Sequence, residues 1–407
     1  MYGLDLRHGQ STVGLNLPDS WEVVYDFQVS GGRDLAWSDF MGSLESPVGT
    51  PPLREMVQPG QKVCIVVQDH TRPGPTREAV LALVTILTSA GIKDLDVTVV
   101  VGCGTHRVAL AEDMRGLLGE SVLERVQCLS HNYRDRDSLV KVGVTPFGTP
   151  VWVNRRVAEA DLVIGVGCIV PHFLAGYAGG AKVILPGVTG LETTAHNHFQ
   201  VPKLATEPLY GNVDSNPVRE DMEAAAKLAG LGFILNFVPD QDGRPVYVVA
   251  GDPVKAHRHG VALAKSIYTF LVKAPADVVI ANSAPFDVDL NQAAKARSVA
   301  ALALKPGGSI LWLGGCPEGV GFHGLMEDCK QPTLLHDQAK EDVYFFSQWL
   351  SREELEQMYG DSVRWVERTS DAMQEICFRK GESVQAIILR AAPLTLVVRE
   401  KGVDRDE

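Results

Sequence analysis

Two α/β domains are what this sequence predicts, and three observations predict them. The chain has 407 residues, more than one hydrophobic core ordinarily organises. Short valine-rich runs alternate with stretches whose apolar residues recur at helical spacing, the pattern of strands alternating with helices. Around residues 272–276 the text shifts and a fresh β-α unit begins.

The elements follow in order. Residues 61–68 are a short apolar run that reads as a buried strand, and residues 76–90 carry helical spacing up to the stop at Gly91. Residues 96–101, 161–166 and 233–238 read as further strands. Residues 216–228 read as a helix with Pro217 in its first turn, where the missing N–H costs nothing. Residues 253–268 are another helix. The second unit has a strand at 278–280, a helix at 291–304 and a strand at 309–314. Strand 343–346, helices 352–358 and 371–377 and strand 384–389 complete it. The expected division is therefore 1–270 and 271–407. The last ~15 residues either extend the second domain or pack back on the first. No repeat of 20–50 residues is visible.

Composition narrows the function. The chain is 45% hydrophobic and 22% charged, with 39 Gly and 23 Pro, as in ordinary globular proteins. A net charge of -12 argues against non-specific nucleic-acid binding, which needs a basic footprint. A small anionic substrate is compatible with it, because a local Arg/Lys pocket can sit in an acidic whole. The N-terminal residues lack the basic and apolar regions of a signal peptide, and no apolar run is long enough to span a bilayer. The expectation is a cytoplasmic protein with no membrane partner. Seven scattered cysteines, never spaced C-x-x-C, make neither a disulfide framework nor a zinc ribbon. Buried, reduced thiols are expected.

Four segments place polar residues directly after apolar strands, where open α/β sheets bind ligands. The first runs from Asp69 through His70, Thr71, Arg72 and Pro73 to Pro75. Its prolines make a rigid loop on which Arg72 is a preorganised fork for a carboxylate. An Asp N-cap with a surface Arg is the plain alternative. The second is Gly102-Cys103-Gly104-Thr105-His106-Arg107, whose His106 sits on a turn and can move protons near neutrality. The third runs from Pro171 and His172 through Gly176, Gly179 and Gly180 to Lys182 and Gly187. Ala181 and Val183 flank the lysine, a setting that desolvates an amine and makes it nucleophilic. The absence of Gly before Lys182 and of Ser/Thr after it excludes a Walker loop. Gly-rich backbone can still cradle a phosphate. The fourth is His196-Asn197-His198, read as extended, so that its two histidines point apart and one at most serves a given metal. In the second domain, Asn291 opens a helix on which Gln292 and Lys295 share a face, an arrangement suited to an anion.

Together DHTRP, GTHR, PHFLAGYAGGAKVILPG and the downstream Asn197-His198 resemble the lactate racemase family, the nickel-pincer-nucleotide enzymes. The resemblance spans residues 61–389 and is strongest over 171–198. It implies a two-domain α/β fold with the active site in the interdomain cleft. It implies a nickel-bearing pyridinium mononucleotide attached to Lys182 through a thioamide, with His198 as a nickel ligand. Asp69, Thr71, Gly176, Gly179 and Gly180 would help hold that nucleotide. His106 and His172 would be the acid/base pair, and Arg72, Gln292, Lys295 and Asn291 would bind substrate. Maturation by cofactor-biosynthesis proteins is implied as well.

The implied chemistry is sound on its own terms. The C2 hydrogen of a 2-hydroxy acid leaves more readily as hydride to a pyridinium than as a proton. The flat keto acid can then take it back on either face, with a proton-transfer group for each enantiomer. Three features depart from the family pattern. Asn291 stands where a Tyr precedes the Gln, Ala181 where an Arg often precedes the Lys, and residues 321–341 lack a Trp-bearing stretch. They favour a 2-hydroxy acid other than lactate. The competing expectations are a zinc-type hydrolase or lyase using the same histidines, and a non-catalytic member of the fold.

Overall fold

The computed structural model describes residues 2–329, 341–381 and 383–400. They divide into two compact units. The larger comprises Gly31–Ser266 with residues 323–329, and the smaller comprises the residues up to Ser30, Ile267–Phe322 and the described residues from 341 onward.

The larger unit is built on a six-stranded sheet. Its order is Pro245–Gly251, Leu231–Pro239, Leu162–Cys168, Val63–Gln68, Val97–Gly102 and Gln127–Ser130. All neighbours are parallel except the first pair. The central strand Val63–Gln68 is buried along its whole length, as expected of a parallel strand covered on both faces. Its alternation divides the core. Val63, Ile65 and Val67 pack into one apolar cluster with the helix Thr76–Ser89, while Cys64 and Val66 enter the cluster on the opposite face. The predicted strands and helices all form here, with ends shifted by a few residues. Asn216 caps the helix Pro217–Leu228 by accepting from the Arg219 N–H.

The smaller unit has its own parallel sheet. Its order is Arg364–Trp365, Asp342–Phe346, Leu304–Leu313, Ala276–Asn282, Val384–Leu389 and Trp21–Phe27. The division expected at residue 270 differs at the N-terminus. Trp21–Phe27 is the edge strand beside Val384–Leu389, and the antiparallel hairpin Tyr2–His8 with Ser11–Leu17 buries Leu4, Leu6, Val13, Leu15 and Leu17 in the same core. A strand whose partner lies near the other end of the chain leaves no local signature. Near the C-terminus, Leu396–Arg399 pairs in parallel with Thr269–Val272, within the smaller unit.

All seven cysteines are free, and four of them are buried. Burial pushes the Cys64 thiol up to about 12, so it stays protonated and inert. Among the described residues no helix is long and apolar enough to cross a membrane.

Candidate functional site

In the larger unit the chain runs outward from Val63–Gln68 through Val97–Gly102 to Gln127–Ser130, then returns to place Leu162–Cys168 on the other side of the first strand. The order therefore reverses between Val63–Gln68 and Leu162–Cys168. A crevice opens at the carboxyl ends of the strands at such a reversal, and ligands bind there in open α/β sheets. Three of the four sequence segments emerge at this point. A backbone bond joins two of them, Gly104 N–H to the Gly187 carbonyl at 2.8 Å. Gly102 suits this closeness, because a Cβ there would lie a tight 3.2 Å from both the Gly187 and Val67 carbonyl oxygens.

Asp69 is buried and fully engaged. Its Oδ1 accepts from the Thr71 N–H at 3.1 Å and the Thr71 hydroxyl at 2.5 Å. Its Oδ2 accepts from His106 Nδ1 at 2.6 Å. Burial alone would raise this carboxyl, but the charge and hydrogen bond of His106, with Arg72 and Thr71, outweigh it and hold the group well below its ordinary value. Asp69 therefore stays ionised and fixes His106 with its proton on Nδ1, leaving Nε2 as the basic nitrogen. Asp69 and Thr71, expected beside the nucleotide, are engaged with each other and with His106.

Lys182 lies on the 3-10 turn Gly180–Val183. Burial, then the neighbouring Arg72 and Arg219 guanidiniums, push its amine down to about 7, against a weaker pull from Asp69 and Cys168. Residue 182 as a whole is half-buried. The glycines before it have packing reasons. Gly176 (φ +71°) would drive a Cβ into the Asn212 backbone. Gly179 (φ +77°) would meet Ile169 and Asn236, and Gly180 (φ +58°) the His257 ring. The Gly180 N–H already donates to Asn236 Oδ1 at 2.8 Å. These glycines shape the loop by close protein packing.

Arg219 organises the same loop. Fully buried on the helix Pro217–Leu228, it donates to the carbonyls of Ala175 at 3.2 Å, Gly179 at 3.1 Å and Tyr177. Desolvation pushes it down to about 10, so it remains charged at neutral pH. Sequence reasoning missed this residue, because an Arg on an amphipathic helix ordinarily reads as surface.

His196 and His198 lie on a helix, Leu191–Phe199, rather than on the extended segment expected. Thr193 and Thr194 are poor helix formers, and tertiary bonds stabilise the turn instead. Buried Asp221 accepts from Thr145 Oγ1 at 2.5 Å, Thr149 Oγ1 at 2.8 Å and Asn197 Nδ2 at 2.7 Å. The Thr149 oxygen in turn accepts from His196 Nδ1 at 2.8 Å. Positions i and i+2 still diverge on a helix, so the conclusion about the two side chains stands. His196 is structural. His198 is buried, and its Nδ1 has no hydrogen-bond partner. Desolvation and then the Lys182 charge push its pKa down to about 3, so it is a neutral imidazole with a lone pair available. Asp221→Ala is expected to strand three buried donors and cost about 3 kcal/mol. Urea unfolding checks this, and a loss below about 1 kcal/mol would show that the network does not hold the helix.

His172 is oriented from behind. Its Nδ1 accepts from the Leu174 N–H at 3.2 Å and the Ala175 N–H at 3.1 Å, so its proton sits on Nε2. His106 and His172 thus rest in opposite tautomers.

The remaining expected residues lie in the smaller unit, on the helix Leu290–Ala301 capped by Asp289. Lys295 Nζ donates to Gln292 Oε1 at 2.6 Å, which confirms their shared face. The Asn291 amide donates to the Val320 carbonyl at 2.8 Å and is occupied with main chain. Ala181 is buried in an apolar cluster, so an Arg there would have no room without repacking. Of the shortened stretch noted at 321–341, residues 330–340 lie outside the described residues.

Comparison with known proteins gives a consistent family. The model of the lactate racemase N-terminal domain matches residues 8–207. The chain is 31% identical to the lactate racemase of Thermoanaerobacterium thermosaccharolyticum over 340 residues, 82% of this chain and 79% of that protein. It is 33% identical to the lactate racemase of Lactiplantibacillus plantarum over 306 residues, 73% of this chain and 71% of that one. The structure of the lactate racemase apoprotein from T. thermosaccharolyticum superposes with a TM-score of 0.80 at 26% identity, covering 98% of this chain and all of that one. A Thermotoga maritima protein shares the fold at a TM-score of 0.68 and 18% identity.

Proposed function

The chain belongs to the lactate racemase family, and from that premise we propose that it racemises or epimerises a 2-hydroxy acid other than lactate at a nickel-pincer nucleotide carried by Lys182. A racemase-type function follows from the family. The substrate, the cofactor and the roles below are the proposal. One observation carries it: an amine brought down to about 7 lies beside a buried imidazole whose Nδ1 has no partner.

These residues fit the group. Lys182 is available as a free amine for a covalent thioamide link, and neutral His198 is available to nickel. The bound nucleotide would supply the hydride acceptor. The chain's own residues supply the rest. His106, fixed by Asp69, removes the hydroxyl proton at Nε2, and the buried carboxylate stabilises the imidazolium that results. His172 presents its Nε2–H to oxygen from the second position. In this state His172 is a hydrogen-bond donor to the substrate oxygen, and it acts as a proton donor only as an imidazolium. Arg72, whose charge acts on both Asp69 and Lys182, would take the substrate carboxylate. Gln292 and Lys295, which share a helix face, would be substrate-binding residues on the family resemblance. A zinc hydrolase would not call for the lowered lysine. A cytoplasmic setting and maturation by cofactor-biosynthesis proteins belong to the same proposal.

The amine can be tested directly in apoprotein. Because burial disfavours the ammonium form, Lys182 is half neutral near pH 7, where an ordinary lysine of pKa about 10.4 is almost wholly protonated. A small acylating reagent is expected to modify Lys182 at least about tenfold faster than surface lysines at pH 7. The rate should fall about tenfold per unit below that pH. Peptide mass mapping reads the result, and a rate equal to that of surface lysines would remove the basis for attachment.

A further inference from the structure

We propose that His323 is a positioning residue for His106, delivered by a short segment that docks on the larger unit and completes the proton acceptor. This rests on the reading of His106 as that acceptor. Residues 323–329 belong to the larger unit although the chain before them belongs to the smaller. Three independent contacts fix the segment. The His323 ring meets the His106 ring edge-on, with centroids 5.3 Å apart and planes at 68°. The Gly324 N–H donates to the Thr105 carbonyl at 2.7 Å, so the residue after His323 is bonded to the residue before His106. At the other end, Asp328 accepts from the Tyr133 hydroxyl at 2.7 Å and from Arg134 Nε and Nη2 at 3.1 and 2.8 Å.

Gly324 shows how close the docking is. A Cβ there would collide with the Tyr133 hydroxyl, the same group that bonds Asp328. Tyr133 therefore accommodates one end of the short helix Gly324–Glu327 and anchors the other.

The consequence for His106 is geometric. Beside the bond from Nδ1 to Asp69, a ring packed edge-on against the imidazole restrains rocking about that bond, so Nε2 keeps one direction. Proton transfer is sensitive to that direction, since small misplacements of a catalytic group cost large factors in rate. His323 acts through His106 and is not assigned a contact with substrate.

The test uses the full chain with His323→Ala, His323→Phe and Asp328→Asn. Side-chain ¹H–¹⁵N spectra of histidine-labelled apoprotein should show one His106 tautomer, protonated at Nδ1, in the parent. His323→Ala should broaden and shift the His106 ring signals while leaving the proton on Nδ1, and His323→Phe, which keeps an aromatic ring, should restore them. Asp328→Asn, which loosens the anchor without touching either ring, should give an intermediate spectrum and guards against misfolding of the alanine variant. In cofactor-loaded enzyme, His323→Ala is expected to lower kcat about tenfold or more with KM within about twofold. An unchanged His106 signal in His323→Ala and Asp328→Asn, or a kcat within twofold of the parent, overturns the proposal. If the loaded parent racemises nothing, the functional reading fails, while the spectra still decide whether His323 positions His106.

Discussion

Asp69→Asn is expected to lower kcat by about 10³- to 10⁴-fold, the scale seen when a buried aspartate behind a catalytic histidine is amidated. The substitution preserves size and shape. What changes is the direction of the hydrogen bond. Asp69 accepts from His106 Nδ1 at 2.6 Å and from both Thr71 groups. The Thr71 donors face Oδ1, so an amide oxygen is kept there and the NH₂ turns toward His106. His106 must then accept at Nδ1 and carry its proton on Nε2, which ceases to be a base. KM should change little, because Asp69 touches other side chains. A kcat within tenfold of the parent would show that Asp69 serves packing alone.

Lys182→Ala is expected to abolish covalent retention of the cofactor and lower activity at least about 10³-fold. Lys182→Arg should fail equally. It keeps a cation of similar length, but a guanidinium stays protonated at neutral pH and cannot act as a free amine. The pair separates nucleophilicity from charge. The fold should survive Lys182→Ala, since the ammonium form is disfavoured at this position, whereas the obligate charge of Lys182→Arg is expected to cost stability there. Intact mass of protein produced with the cofactor-biosynthesis proteins reads attachment. An adduct on either variant would place the link elsewhere.

Much of this was legible in the sequence, for physical reasons. Parallel strands buried on both faces announce themselves as valine-rich runs, as Val63–Gln68 does. Polar residues that follow such runs fall at the crevice, which is why Asp69, His106, His172 and Lys182 were found together. What was missed depends on distant partners. Trp21–Phe27 reads weakly because its pairing lies at Val384–Leu389. The helix bearing His198 is held by Asp221 from another helix, and no periodicity reports that. Arg219 and His323 look like ordinary surface residues until tertiary contacts bury one and set the other edge-on against a ring. The glycines have a second reason that the sequence does not show: left-handed backbone and close packing favour them at 176, 179 and 180.

The central claim is inversion of a 2-hydroxy acid with hydride transfer, and an isotope measurement tests it most directly. Cofactor-loaded enzyme is given enantiopure 2-hydroxy acids deuterated at C2, in ordinary water, and the products are separated by chirality and weighed. The account predicts that the opposite configuration at C2 appears for at least one acid and keeps its deuterium. Inversion with loss of the label to water would contradict hydride transfer, and no inversion across the panel would contradict the function itself.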